Sequence, residues 1–205
     1  MLSKTKVTTC IAIGLFSLLY ACNQESETSS NDLNRDVTAT RNKEGDNKIV
    51  RGEYLATIGQ CNDCHSPKIM TAQGPIFDSA HLLAGHLAQM QLPPLSAEDF
   101  KPGPWGHMSL DGTAFAGPWG ISYPANLTPD SATGIGTWTE EIFVKTIRTG
   151  KHLGDPNGRN ILPPMPWPNI SRMTDDDLSA LFTYLKSLPP ISNRVPAPMP
   201  PIAMK

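Results

Sequence analysis

Large apolar side chains fall in four separate places along the chain. Residues 7–19 form a short apolar run directly behind Lys4 and Lys6. Residues 23–47 are then Ser, Thr, Asn, Asp and Glu with almost no large apolar side chain. That is too little to offset the entropy of an ordered chain, and the segment reads as a flexible tether. From Ile49 onward Val50, Tyr54, Leu55 and Ile58 recur at helical spacing up to Gly59, a C-terminal stop. Thr139-Glu140-Glu141 opens a second helix, with an N-cap hydroxyl and carboxylates at the positive end of the dipole. Its apolar side is Ile142, Phe143 and Ile147, up to Gly150. Thr174 to Asp177 has the form of a capping box, and Leu178, Leu181, Phe182, Leu185 and Leu188 follow as a 3-4 stripe that ends at Pro189-Pro190.

Between the first two helices the periodicity breaks down. Residues 66–137 contain nine Pro and nine Gly, a quarter of the segment, and predict loops with at most a short hairpin. Gly103-Pro104-Trp105-Gly106 recurs there as Gly117-Pro118-Trp119-Gly120, which reads as two Trp-anchored tight turns. Beyond the last helix the chain is again rich in proline, an extended strap or tail. An apolar share of 39% is below the usual ~45–50% and agrees with one mainly α domain of short elements plus extensions.

The apolar run at residues 7–19 is too short to span a membrane and ends in Leu19-Tyr20-Ala21-Cys22, the form of an export signal. Leu-x-Ala-Cys there resembles the lipobox of bacterial lipoproteins, which implies that residues 1–21 are removed and Cys22 is lipidated. Cleavage takes away two lysines and no acid, leaving 15 basic against 19 acidic residues, a net charge of −4. Such a chain offers no field for phosphates, so nucleic acid is not an expected partner.

Cys10 leaves with the signal and Cys22 carries lipid, so Cys61 and Cys64 remain. An exported protein would ordinarily join such a pair as a disulfide. Here they stand in Cys61-Asn62-Asp63-Cys64-His65, a C-x-x-C-H run. Two residues between the thiols let one helical turn present both sulfurs to the two vinyl groups of a haem, while the adjacent imidazole reaches the iron. A thioredoxin-like redox pair would sit beside a β-α-β pattern, and half a zinc site would need a second ligand pair; neither pattern is visible. The sixth ligand must come from far downstream. Met165 is preferred because Leu162-Pro163-Pro164-Met165-Pro166-Trp167 is stiff enough to keep a thioether on iron. A neutral sulfur ligand raises the reduction potential relative to a second histidine. Met173 is the next choice; Met70, Met90, Met108, Met199 and Met204 read as core or tail. His81, His86, His107 and His152 read as surface or hydrogen-bonded histidines.

The order of helix, C-x-x-C-H, long loop, Pro-Met-Pro and amphipathic terminal helix resembles that of class I cytochromes c. The likeness is closer to the single-haem modules of cytochrome subunits that serve bacterial periplasmic alcohol, aldehyde or sugar dehydrogenases. It is carried by Arg51-Gly52-Glu53-Tyr54-Leu55-Ala56, Ala125-Asn126-Leu127-Thr128-Pro129-Asp130, Thr133-Gly134-Ile135-Gly136-Thr137-Trp138, Pro164-Met165-Pro166-Trp167 and Met173 to Leu178 through Tyr184-Leu185. The resemblance covers residues 49–193 and implies a class I cytochrome c fold, with crossed N- and C-terminal helices around one covalently bound haem c and a long Pro/Gly-rich loop insertion. It also implies a helix contact made by Gly52 and Tyr54 with Leu181, Tyr184 and Leu185, and haem-pocket roles for Asn126, Thr128 and Trp138. Leu55, Ile58, Trp138 and Leu181 are expected to exclude water from the haem. Only one C-x-x-C-H is present, so no multi-haem relay runs within these residues, and residues 66–124 exceed what a minimal cytochrome needs.

The domain expectation is a signal peptide at 1–21, lipidated Cys22 and tether at 22–48, a monohaem domain at 49–193 and a Pro-rich tail at 194–205. The functional expectation is a lipid-anchored cytochrome facing the periplasm, which passes single electrons between a dehydrogenase or quinol-oxidising complex and an acceptor such as a terminal oxidase. Its ligands are Cys61, Cys64, His65 and Met165. With no general base, nucleophile pair or further metal cluster visible, it is expected not to be an enzyme. The rival is a haem enzyme with an open or displaceable sixth position.

Overall fold

The computed structural model describes residues 28–104 and 106–201. The expected signal peptide and lipidated Cys22 lie outside the described residues, as does Trp105 of the first Gly-Pro-Trp-Gly. The chain divides into two units, residues 1–44 and 45–205.

In the first unit the described backbone is helical, because α1 spans Thr28–Ile58 rather than starting near Ile49. The expected tether is therefore helix from Thr28 onward. No proline interrupts residues 28–58, and an α-helix satisfies its own backbone groups without an apolar partner.

The second unit holds the end of α1, then α2 (Cys61–His65), α3 (Glu140–Thr149), α4 (Trp167–Ile170) and α5 (Asp175–Ser187). Both expected caps form. Thr139 Oγ1 accepts from the Ile142 N–H at 3.2 Å, and Thr174 Oγ1 accepts from the Asp177 N–H at 3.1 Å. Gly150 closes α3 at a φ of 65°, beneath the indole of Trp167. The main core joins Phe143 and Ile147 of α3 to Leu178, Leu181, Phe182 and Leu185 of α5, with the Phe143 and Phe182 rings 5.3 Å apart.

The contact between α1 and α5 is made by other residues than the apolar stripe suggests. Gly52 lies against the backbone carbonyl of Ala180, and a Cβ added there would also meet Tyr184 Cβ at 2.5 Å. Leu55 and Ala56 are buried beside it, whereas Val50, Tyr54 and Ile58 face solvent. Tyr54 is 53% exposed, and its ring lies under the Arg51 guanidinium at 5.4 Å. Ile58 is 56% exposed. Two small residues let the helices approach closely, which turns the larger ones outward.

The expectation for residues 66–137, loops with at most a short hairpin, also needs correction. The Pro/Gly-rich insertion forms two small antiparallel sheets. One pairs β1 (Lys68–Thr71) with β2 (Gly74–Phe77); the other has the order β3 (His107–Met108), β4 (Phe115–Gly117), β5 (Gly120–Ser122). Frequent Gly and Pro rule out long helices, yet they supply the tight turns that let strands of two to four residues pair. Gly117 pairs with Gly120, so the second Gly-Pro-Trp-Gly is the β4–β5 turn itself. Phe100, Ala116 and Ile121 form a separate small core beneath this sheet. After α5 the chain runs extended across the domain, and Met199 pairs with Ile121 through bonds of 2.8 and 3.0 Å.

Candidate functional site

The motif turn begins where α1 is forced to end. Gln60 takes a left-handed φ of 56°, which redirects the chain so that Cys61 starts a new helical turn. Asn62 and Ser66 brace that turn from both ends. The Ser66 hydroxyl donates to Asn62 Oδ1 at 2.7 Å and accepts from the Leu83 N–H at 2.8 Å. Ser66 is completely buried, and its role was not visible in the pattern, where Ser beside the motif reads as an ordinary loop residue.

Cys61 and Cys64 are free, half-buried thiols with no disulfide between them. Burial pushes the Cys61 thiol up to about 11. The Cys64 thiol is raised by the same cause, with Lys68 opposing. Neither cysteine is thus given the stabilised thiolate that redox exchange needs.

His65 is 8% exposed and its Nδ1 lies 2.8 Å from the Ala125 carbonyl oxygen. A carbonyl only accepts, so Nδ1 carries the proton and Nε2 carries the lone pair. Burial lowers the His65 pKa, against the opposing effect of the Ala125 bond, and the neutral imidazole is the form that ligates a metal.

Met165 is partly buried and packs with Cys61, Leu127 and Trp138 against the main core. Its loop is tied to β5, where the buried Ser122 hydroxyl donates to the Pro163 carbonyl at 2.5 Å. Met173 packs against the same core from the turn before α5. Trp138 stands edge-on to His152, with centroids 6.0 Å apart.

Asn126 and Thr128 follow closely on Ala125, whose carbonyl His65 bonds. Both are buried, and their polar atoms bond to one another and to the segment after α5. Asn126 Nδ2 donates to the Ile191 carbonyl at 2.8 Å, and Thr128 Oγ1 accepts from the Ile191 N–H at 3.1 Å. They support the loop that carries Ala125 and have no polar atom left for a ligand. Of the histidines read as surface or hydrogen-bonded, His86 is buried and hydrogen-bonded. His86 Nδ1 donates to Thr113 Oγ1 at 2.8 Å, and that hydroxyl donates to the Asp111 carboxylate. The other histidines are peripheral, with His81 on Asp78 at 2.6 Å and His107 on Asp99 at 3.3 Å.

These residues fit a covalently held haem. Two unpaired neutral thiols stand on one helical turn, a buried imidazole keeps its Nε2 lone pair, and an apolar core with a thioether lies alongside. Among the described residues no group of three or more His, Cys, Asp and Glu is gathered that could hold another metal ion. No helix among them is long and apolar enough to cross a membrane.

Comparison with known proteins agrees. The family model for cytochrome c matches residues 49–189. The gluconate 2-dehydrogenase cytochrome c subunit of Pantoea cypripedii is 30% identical over 136 residues, 66% of this chain and 22% of that protein. The cytochrome c subunit of the quinone alcohol dehydrogenase of Gluconobacter oxydans is 33% identical over 108 residues, 48% of this chain and 22% of its own. The fructose dehydrogenase cytochrome subunit of Gluconobacter japonicus is 28% identical over 137 residues, 67% of this chain and 20% of its own. The chain thus spans about a fifth of the length of these relatives. With the motif turn, the buried histidine and the core all falling inside the matched residues, the chain belongs to the cytochrome c family, whose cofactor is a covalently bound haem c.

Proposed function

We propose that this protein is a monohaem electron carrier, not an enzyme, that takes single electrons from a dehydrogenase or quinol-oxidising complex and passes them to an acceptor. The observation that carries this reading is the buried C-x-x-C-H turn, in which His65 is oriented by Ala125. When bound, the haem supplies a reversible one-electron change at iron. Cys61 and Cys64 would hold it by thioether bonds, His65 Nε2 and Met165 Sδ would ligate its iron, and Leu55, Trp138 and Leu181 would exclude water. With His65 and Met165 both as ligands, the chain's work would be to keep ligation and surroundings unchanged as the electron comes and goes. The relatives named as dehydrogenase subunits support a dehydrogenase as donor. Cys22 carries the lipid that holds the protein on the periplasmic side of a bacterial membrane.

An optical spectrum of full-length protein matured in a bacterial periplasm tests this. The expected result is a low-spin haem that stays with denatured protein and ignores carbon monoxide after reduction. Protein without covalent haem overturns the proposal; a high-spin or carbon-monoxide-binding haem overturns the carrier reading in favour of an open-site haem enzyme. Cys22→Ala should move the protein from the membrane to the soluble periplasmic fraction, and retention in the membrane overturns the anchor.

A further inference from the structure

We infer that Asn193, in the extended segment beyond α5, is a positioning residue for His65: it locks the carbonyl that His65 bonds and thereby helps to set the reduction potential. This rests on the reading of His65 as an iron ligand.

The ligand's second nitrogen is what this arrangement controls. A ligating histidine that donates through its other N–H to a fixed acceptor keeps one tautomer and one ring orientation, and is a stronger electron donor to its metal. Here the acceptor is the Ala125 carbonyl, and Ala125 has no polar side chain to hold its own peptide in place. The peptide is held between two other segments of chain. On one side lie residues 83–88. Leu127 N–H donates to Leu83 O at 2.8 Å, His86 N–H to Pro124 O at 3.1 Å, and Gly85 N–H to the His65 carbonyl at 2.8 Å. The fit is so close that a Cβ added at Gly85 would stand 2.7 Å from Ala125 C and 2.8 Å from its oxygen, at a φ of 76°. On the other side lies the segment after α5, where Asn126 Nδ2 reaches the Ile191 carbonyl at 2.8 Å and the Asn193 carbonyl at 3.4 Å.

Asn193 joins the two sides. Its Nδ2 donates to Ala84 O at 2.7 Å and to His86 O at 2.9 Å, the two carbonyls flanking Gly85. Its Oδ1 accepts from the Ala88 N–H at 3.0 Å, and its own N–H donates to Thr133 Oγ1 at 3.0 Å. The side chain is 6% exposed, so no water substitutes freely for these bonds. Two donors and one acceptor at this reach are the hydrogen-bonding set of a carboxamide; aspartate supplies only acceptors and alanine nothing.

The test is a redox titration of the full-length, haem-loaded protein. In Asn193→Ala and Asn193→Asp the clamp loses both donors, the His65–Ala125 bond slackens and electron donation to ferric iron falls. At the wild-type midpoint the ratio of reduced to oxidised protein should rise about threefold, the size of a fraction of one net hydrogen bond. Arg51→Ala, which breaks an ion pair between α1 and α5 far from these loops in sequence, should leave the ratio unchanged. Folded Asn193 variants with the wild-type midpoint, or a shift that Arg51→Ala reproduces, overturn the proposal. Should the variants not fold, hydrogen exchange on the reduced wild-type protein decides. The His65 Nδ1 proton and the Ala88 and Leu127 amides should exchange in one opening, and a His65 proton about tenfold faster than the Ala88 amide overturns the proposal. Absence of covalent haem would defeat the functional reading itself, whereas intact haem at an unshifted potential defeats only the role of Asn193.

Discussion

At the scale of single residues, the small side chains decide where the large ones go. Gly52 admits the Ala180 carbonyl to a distance that no Cβ tolerates, so the face of α1 bearing Gly52, Leu55 and Ala56 turns inward. Gly52→Val places three carbon atoms in that contact. Overpacking of this kind costs about 1–3 kcal/mol, and here the obstacle is backbone, so the upper end is expected. Thermal melting of the haem-loaded variant should show a midpoint lower by several degrees, with the haem spectrum retained below it; an unchanged midpoint would mean that the helices do not meet at Gly52. The same residue explains what could be read in advance. Cys61, Cys64 and His65 were legible because covalent chemistry demands those types at that spacing. The buried face of α1 was legible at Gly52 only through the resemblance, because a 3.6-residue stripe marks large apolar residues and is silent about a glycine that lets a neighbour in.

At the scale of elements, α5 was legible in full, since its cap residue, stripe and proline stop all agree. The insertion was not, because strands of two to four residues carry no usable alternation, and what they hold in place is far away in sequence. Ser122 of β5 shows this, with its hydroxyl donated to Pro163, two residues before Met165 and 41 residues from itself. Ser122→Ala removes one buried hydrogen bond, about 1 kcal/mol. The Met165 loop should then open about fivefold more often, read as tighter binding of added imidazole by the ferric protein; unchanged imidazole affinity would separate β5 from the ligand loop. The α1–α5 contact has its own signature in pH. Arg51 donates to Asp177 at 2.9 Å, which holds that carboxyl below the ordinary carboxylate range. A depressed folded pKa means that the pair stabilises above the unfolded value, about 3.9, and that this contribution fades as pH falls through the folded value. Asp177→Asn should accordingly be less stable than wild type at pH 7, with the gap closing on acidification. A gap that is constant from pH 7 to pH 3 would show that the charge on Asp177 contributes nothing.

At the scale of the whole molecule, the site is assembled from widely separated stretches of sequence. Cys61, Cys64 and His65 come from the turn after α1, Met165, the proposed sixth ligand, from the loop before α4, and the bonds that hold the Ala125 loop from beyond α5. The helical skeleton and the motif were legible because each is local in sequence. Asn126 and Thr128 were picked out only through the resemblance, and their bonding partners were not legible, since Thr128 bonds to a backbone 63 residues downstream.

The extended segment after α5 also has a meaning in time. Asn193 meets Ala84 across 109 residues of chain, and contacts so distant close late, after helices and short turns have formed. During synthesis the two thiols precede Asn193, so a period exists in which the motif turn is present and the clamp over Ala125 is not. In that period the cysteines can be reached. Pulse-labelled hydrogen exchange during refolding should therefore protect the amides of α3 and α5 before that of Ala88, and simultaneous protection would remove the interval. A closure delayed until the last stretch of the domain is made leaves the cofactor time to enter before its histidine is set.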